Sequence, residues 1–223
     1  SLAKETGARL HIFHLSTAIE TGLFRNDIPL SEKKITAEVC VHHLWFSSAD
    51  YKTHGTRIKW NPAVKHQEDQ DALWTALNDD RIDVLATDHA PHTLEEKNNK
   101  YASAPSGGPL VQHALLALLT ASKRGKISLE KLVQKACHNP AILFDVEKRG
   151  YIRVGYFADL VLLDLNETTT VTPESLLYHC KWSPFEGETF QAKIESTWVN
   201  GSCVYDKGVI IENKAAKRLT FNR

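Results

Sequence analysis

Apolar and polar positions along this chain change their period several times. Between Arg9 and Leu15 a short apolar run (Leu10, Ile12, Phe13, Leu15) ends in Ser16 and Thr17, residues that cap helices. From Lys34 to His42 the alternation is strict. Ile35, Ala37, Val39 and Val41 fall on one face and Thr36, Glu38, Cys40 and His42 on the other, which predicts a strand. Residues 67–79 move to helical spacing, with Ala72, Leu73, Ala76 and Leu77 as the apolar stripe. The segment 82–88 returns to strand character and stops abruptly in Asp88, His89, Ala90, Pro91 and His92. A Gly/Pro-rich loop at 104–109 then opens a helix whose buried face is Leu110, Val111, Ala114, Leu115, Leu118 and Leu119. Ser128 caps a further helix, and Asn139 with Pro140 starts a short last one.

Beyond about residue 146 the helical spacing gives out. Gly150–Gly155, 158–164, 196–201 and 204–210 read as strands separated by turn residues. Strands alternating with helices before that point imply a parallel sheet covered by helices. Three such strand–helix units are visible, whereas a closed eight-stranded barrel occupies roughly 250 residues. The pattern therefore predicts an α/β chain in two parts. Residues 1–145, too short for a whole (β/α)8 barrel, are expected as the second half of one, and residues 146–223 as a small β-rich domain.

Composition narrows the classes of function. Lys+Arg and Asp+Glu are both 27, a formal net charge of zero, which gives no electrostatic reason to expect nucleic acid or an anionic membrane as partner. No apolar run approaches the ~20 residues that span a bilayer, and the start does not resemble a signal peptide. Cys40, Cys137, Cys180 and Cys203 form no C-x-x-C pair, so they are expected as reduced thiols in a cytoplasmic protein.

The candidate chemistry sits where strands end. His14, then His42 and His43, then Asp88 follow the three strands, and in a parallel barrel those ends converge on the face that carries active sites. Histidine and aspartate suit zinc or a similar divalent ion engaged in hydrolysis. Taken singly, each has a plainer explanation. A histidine after an apolar run is usually a satisfied structural group, His11 more so than His14 because it lies mid-strand. An aspartate after a strand is often only the cap of the next helix. His42 and His43 can simply pack or bond to backbone, and Cys40 is a small buried apolar residue. Three successive strand ends bearing such groups make the joint reading the stronger one.

Ala86, Thr87, Asp88, His89, Ala90, Pro91 and His92, followed by Glu95, Glu96 and Lys97, closely resemble the signature of dihydroorotases in the amidohydrolase superfamily. His14-Leu15-Ser16-Thr17 looks like that family's sixth-strand metal histidine, and the 38–44 segment like its seventh strand. Lys59-Trp60-Asn61-Pro62 and Ala104-Pro105-Ser106-Gly107-Gly108 look like its substrate loops, and Trp182–Gly187 with the Gly155–Val161 run like its C-terminal β-domain. The resemblance implies a zinc-dependent cyclic amide hydrolase, with two ions per site, that interconverts N-carbamoyl-L-aspartate and L-dihydroorotate in pyrimidine biosynthesis. His14 and Asp88 would be metal ligands, and Asp88 the acid–base group. Asn61, His92, Ser106 and Gly107 would hold the substrate. The family's first-strand His-x-His, its bridging lysine or acid, its fifth-strand histidine and its substrate-binding arginine match no segment here. The chain is therefore expected to be the C-terminal half of an enzyme about twice as long. The rival expectations are a hydantoinase- or allantoinase-like enzyme and a catalytically silent scaffold that partners a transcarbamoylase. Oligomeric state is not legible, with a homodimer among the options.

Overall fold

The computed structural model describes residues 1–222. Helix α1 (Leu2–Thr6) leads into strand β1 (Leu10–Ile12), then α2 (Ala18–Thr21), β2 (Ile35–Cys40), α3 (Val41–Trp45), α4 (Tyr51–His54), α5 (Gln67–Asn78) and β3 (Val84–Ala86). α6 (Leu94–Lys97), α7 (Ala114–Lys123), α8 (Leu129–Val133) and α9 (Asn139–Leu143) complete the helical part. β1, β2 and β3 form one parallel sheet in sequence order, with Ile12 opposite Ala37 and Cys40 opposite Ala86. The caps anticipated from sequence are present. Thr17 accepts from the Glu20 N–H in a reciprocal capping box, and Ser128 accepts from the Lys131 N–H.

The inner faces of β2 and the helices build the core from Ala37, Val39, Leu44, Leu73, Leu77, Leu110, Leu116 and Leu119. Val171, Tyr178, Phe185 and Phe190, from the later part of the chain, pack into the same core. Phe185 meets Trp45 edge-on at 5.6 Å and Phe190 meets it at 5.5 Å.

The remaining strands are antiparallel. β4 (Leu160–Asp164), β7 (Lys193–Val199), β8 (Ser202–Asp206) and β9 (Val209–Ile210) form a four-stranded sheet in that order, and β5 (Thr169–Thr170) pairs with β6 (Thr189–Phe190). Asn200 (φ 50°) and Gly201 (φ 82°) make the two-residue β7–β8 turn, both left-handed as such a hairpin requires. Several expectations are corrected. The helix after the 104–109 loop starts at Ala114, so Leu110 and Val111 precede it and Val111 is exposed. The strand read at 196–201 stops at Val199, and the one read at 204–210 is two strands joined by a turn at Lys207 and Gly208. Gly150–Gly155 is not a strand: Gly150 and Gly155 are left-handed, and Tyr151 stacks on His138 at 4.2 Å, so its ring packs on a helix end. His42 does not continue β2, because the chain turns helical at Val41 and carries His42 and His43 inward.

The amino-terminal end of β3 is fastened by buried charge. Lys33 Nζ lies 2.7 Å from Asp83 Oδ1, with both side chains 3% exposed, and also donates to the Asp80 carbonyl. Asp83 Oδ2 accepts from the Ala37 N–H at 3.0 Å, and Asn139 Nδ2 donates to the Asp83 carbonyl at 2.6 Å. Lys135, wholly buried, donates to the Ile82 carbonyl and pairs with Asp80 at 2.9 Å.

Acid should loosen the packing around α7. Burial pushes the His113 imidazole down to about 4, while an unfolded histidine titrates near 6.5. Between those values the unfolded chain binds a proton that the folded one excludes. Stability complete above about pH 6.5 is therefore lost as pH falls toward 4, by at most about 1.4 kcal/mol per pH unit from this residue. Urea unfolding at pH 7 and pH 5 checks this: a His113→Phe variant should lose less stability on acidification than the wild type.

Candidate active site

At the carboxyl end of the parallel sheet the backbone departs from extended geometry at two residues, His14 (φ 40°) and Asp88 (φ 48°). Non-glycine residues in the left-handed region are uncommon and cluster at functional sites. In both cases the strand ends two residues earlier, at Ile12 and at Ala86. Leu15 N–H then donates to the Glu38 carbonyl at 2.9 Å, which anchors the turn after His14. Asp88 is exposed and His14 half-buried. Among the described residues, no hydrogen bond or ion pair engages the His14 imidazole or the Asp88 carboxylate. Asp88 does not cap a helix; that role at α6 falls to Thr93. His11, by contrast, is the satisfied structural histidine expected, bonded to Thr36 Oγ1 at 2.9 Å and Glu38 Oε2 at 3.1 Å.

The end of β2 lies between the two. Burial pushes the Cys40 thiol far up, and the nearby Glu38 and Asp88 carboxylates push it further. Burial also drives the His42 imidazole well below its usual range, helped by the neighbouring charges of His43 and His14. His43 falls to about 4, again chiefly through burial. His42 stacks flat on Trp60 at 4.3 Å. Both of its ring nitrogens are buried without a hydrogen-bond partner among the described residues, the nearby Thr87 backbone falling short of a well-formed bond. His43 Nε2 bonds to the Pro62 carbonyl at 3.0 Å. The two histidines thus grip the 60–62 loop and leave the Asn61 side chain exposed between their anchor points.

His92 Nε2 bonds to the Ser106 carbonyl at 3.0 Å, and the Trp182 indole N–H donates to the His92 carbonyl at 2.7 Å. Gly107 N–H donates to the Lys59 carbonyl at 2.9 Å. The structure therefore brings the Asn61, His92 and Ser106–Gly107 segments onto one another. Sequence reasoning missed what joins them. Lys97 donates to the Lys59, Pro105 and Gly107 carbonyls, Lys59 Nζ reaches the Tyr101 and Ala104 carbonyls, and Trp182 is wholly buried beneath. The adjacency of Lys97 to the Asp88–His92 segment was the available signal. Burial, with Lys59 adding, pushes the Lys97 ammonium down to about 8.

Gly107 is required by space as well as by backbone. At φ 114° a Cβ would lie 2.6 Å from the Ala90 carbonyl oxygen and 2.8 Å from its Cβ. Gly107→Ala should destabilise the protein by about 1–3 kcal/mol, read as a lower urea midpoint.

The donor set bears on a metal. An imidazole and a carboxylate suit zinc, and both are uncommitted at strand ends on either side of β2. A four-coordinate ion needs more, and no group of three histidine, cysteine, aspartate or glutamate side chains among the described residues is arranged to hold one. The two side chains fit as part of a centre. No helix among the described residues is long and apolar enough to cross a membrane.

Residues 3–204 match the Amidohydrolase family. A dihydroorotase from Halobacterium salinarum is 39% identical over 204 residues, covering 91% of this chain and 46% of that protein. One from Clostridium acetobutylicum is 35% identical over 207 residues, covering 92% and 48%. Among solved structures, the L-hydantoinase (dihydropyrimidinase) from Arthrobacter aurescens superposes with a TM-score of 0.85 at 30% identity, covering 95% of this chain and 48% of that one. The inactive dihydroorotase-like domain of a Chaetomium thermophilum CAD-like multifunctional protein shares the fold at 24% identity and a TM-score of 0.69, covering 96% of this chain and 56% of that one. The chain spans about half the length of the curated relatives it matches.

Proposed function

The chain belongs to the amidohydrolase family, and from that premise we propose that it forms the carboxyl-terminal half of a dihydroorotase barrel, with a β-sandwich domain beside it. The observation that carries this is the placement of Asp88 and His92: the acid stands at the end of a parallel strand, and the histidine is bonded into the loop that would cover the substrate. The substrate is a cyclic amide, dihydroorotate in one direction and N-carbamoyl-L-aspartate in the other. The remaining metal ligands would come from residues other than these 223.

His14 and Asp88 would hold zinc, two ions in the complete site, which would polarise the ring carbonyl and acidify the attacking water. The protein's own groups do the rest. Asp88, exposed and uncommitted, takes the proton from the attacking water and returns it to the ring nitrogen as the amide bond breaks. Asn61 donates from a loop fixed at both ends by His42 and His43. His92 keeps Nε2 on the Ser106 carbonyl, so it orders the covering loop while the rest of its ring meets the substrate. Neutral His42 and His43 place no positive charge beside His14, which favours cation binding there.

The test is hydrolysis by the intact protein of dihydroorotate, hydantoin and dihydrouracil side by side. Preference for dihydroorotate is expected. Preference for hydantoin or dihydrouracil would move the protein to the hydantoinase branch, and no turnover of any of the three in metal-replete protein would leave the scaffold reading.

A further inference from the structure

Lys97 is wholly buried on α6, and no carboxylate pairs with it among the described residues. The other two buried lysines, Lys33 and Lys135, each face an acid, Asp83 and Asp80. Lys97 instead gives its ammonium protons to three main-chain carbonyls: Lys59 at 3.2 Å, Pro105 at 2.9 Å and Gly107 at 2.7 Å. A buried cation without a counter-ion is a poor stabiliser, since an apolar side chain of similar volume would fill the space without the desolvation penalty. Its geometry suggests another use. Lys59 stands two positions before Asn61, and Pro105 and Gly107 flank Ser106. The element that carries Lys97 begins just after His92, whose ring already holds the Ser106 carbonyl. Thr56 Oγ1 bonds the Lys97 carbonyl in return, so the lysine's own backbone is fixed to the 56–61 segment.

We propose that Lys97 is a positioning residue that sets the spacing between the Asn61 loop and the Ser106–Gly107 loop, and so the shape of the substrate-binding face. This rests on the functional reading above. The ammonium gathers three carbonyls, of Lys59, Pro105 and Gly107, at one point, and the Gly107 N–H closes the same joint by donating to the Lys59 carbonyl at 2.9 Å. Without it the Pro105 and Gly107 carbonyls lose their shared partner, and what still ties the loop is His92 on the Ser106 carbonyl, the Gly107–Lys59 backbone bond, Lys59 Nζ on the Ala104 carbonyl and the Ala90 N–H on the Gly108 carbonyl, none of which reaches the Pro105 or Gly107 carbonyl.

Lys97→Met and Lys135→Met in the intact protein separate positioning from stability, because both remove a wholly buried ammonium and Lys135 lies at the opposite end of the sheet. Lys97→Met is expected to raise KM for dihydroorotate at least about tenfold while kcat changes less than roughly threefold. Amide hydrogen exchange at residues 106–108 is expected to speed at least about tenfold, with residues 35–40 unchanged. Lys135→Met should do neither. If Lys97→Met does not fold, Lys97→Gln, which keeps two N–H donors, is measured in its place. KM and loop exchange both within about twofold of wild type, or the same changes in Lys135→Met, would overturn the proposal. Wild-type protein inert toward dihydroorotate would sink the functional reading alone, and the exchange comparison would still decide the role of Lys97.

Discussion

Asp88→Asn should lower kcat for ring hydrolysis by about 10³–10⁴-fold and leave the unfolding midpoint where it is. Asparagine is chosen because it tolerates the left-handed conformation that Asp88 adopts at φ 48°, so the backbone turn survives. The carboxylate has no hydrogen-bond partner among the described residues and is exposed, so nothing structural is lost with its charge. What is lost is a proton acceptor and an anionic ligand at once. Steady-state kinetics with dihydroorotate, alongside urea unfolding, reads both quantities. Activity within about tenfold of wild type would remove Asp88 from the chemistry.

The largest effect on stability is expected at the other end of the same strand. Lys33→Met leaves the Asp83 carboxylate buried with only the Ala37 N–H to serve it, and removing one partner of a buried pair costs about 3–5 kcal/mol. Burial already pushes the Asp83 carboxyl up despite Lys33 pulling it down, so the balance there is close. Replacing both, Lys33→Met with Asp83→Leu, should recover most of the loss, because the surviving side chains are then apolar and no charge is stranded. Urea unfolding of the single and double variants decides it. A single-variant loss below about 1 kcal/mol, or no recovery in the double, would show that the pair does not hold the strand.

The two ends of β3 also show what the sequence could and could not convey. Asp88 was legible because an apolar run stopped in polar residues of a recognisable order. Asp83, five positions earlier and interrupting the same run, carries no such signal, because its partner Lys33 is remote in sequence and nothing local announces the pair. The β2 alternation located the strand correctly but ran it through His42. A two-residue period cannot reveal that the chain turns helical at Val41, since Val41 is apolar on either path. In sequence the 196–201 strand reads through Asn200 and Gly201, which form the turn, and Gly150–Gly155 reads as a strand although Tyr151 stacks on His138 at a helix end and Ile152 and Val154 face solvent. Within the site, the ligand candidates and loop residues emerged from motif order. The groups that fix them (His42 on Trp60, His43 on Pro62, Lys97 on three carbonyls) are long-range contacts made largely to backbone, which no residue pattern encodes.

In the proposed function, His14 and Asp88 belong to one metal centre that performs cyclic amide hydrolysis. Anomalous diffraction at the zinc edge, from crystals of the intact protein purified without chelator, tests it most directly. Anomalous peaks are expected about 2.0–2.2 Å from a ring nitrogen of His14 and from a carboxylate oxygen of Asp88. Peaks coordinated by other residues, with the His14 and Asp88 side chains ordered and unliganded, would contradict it.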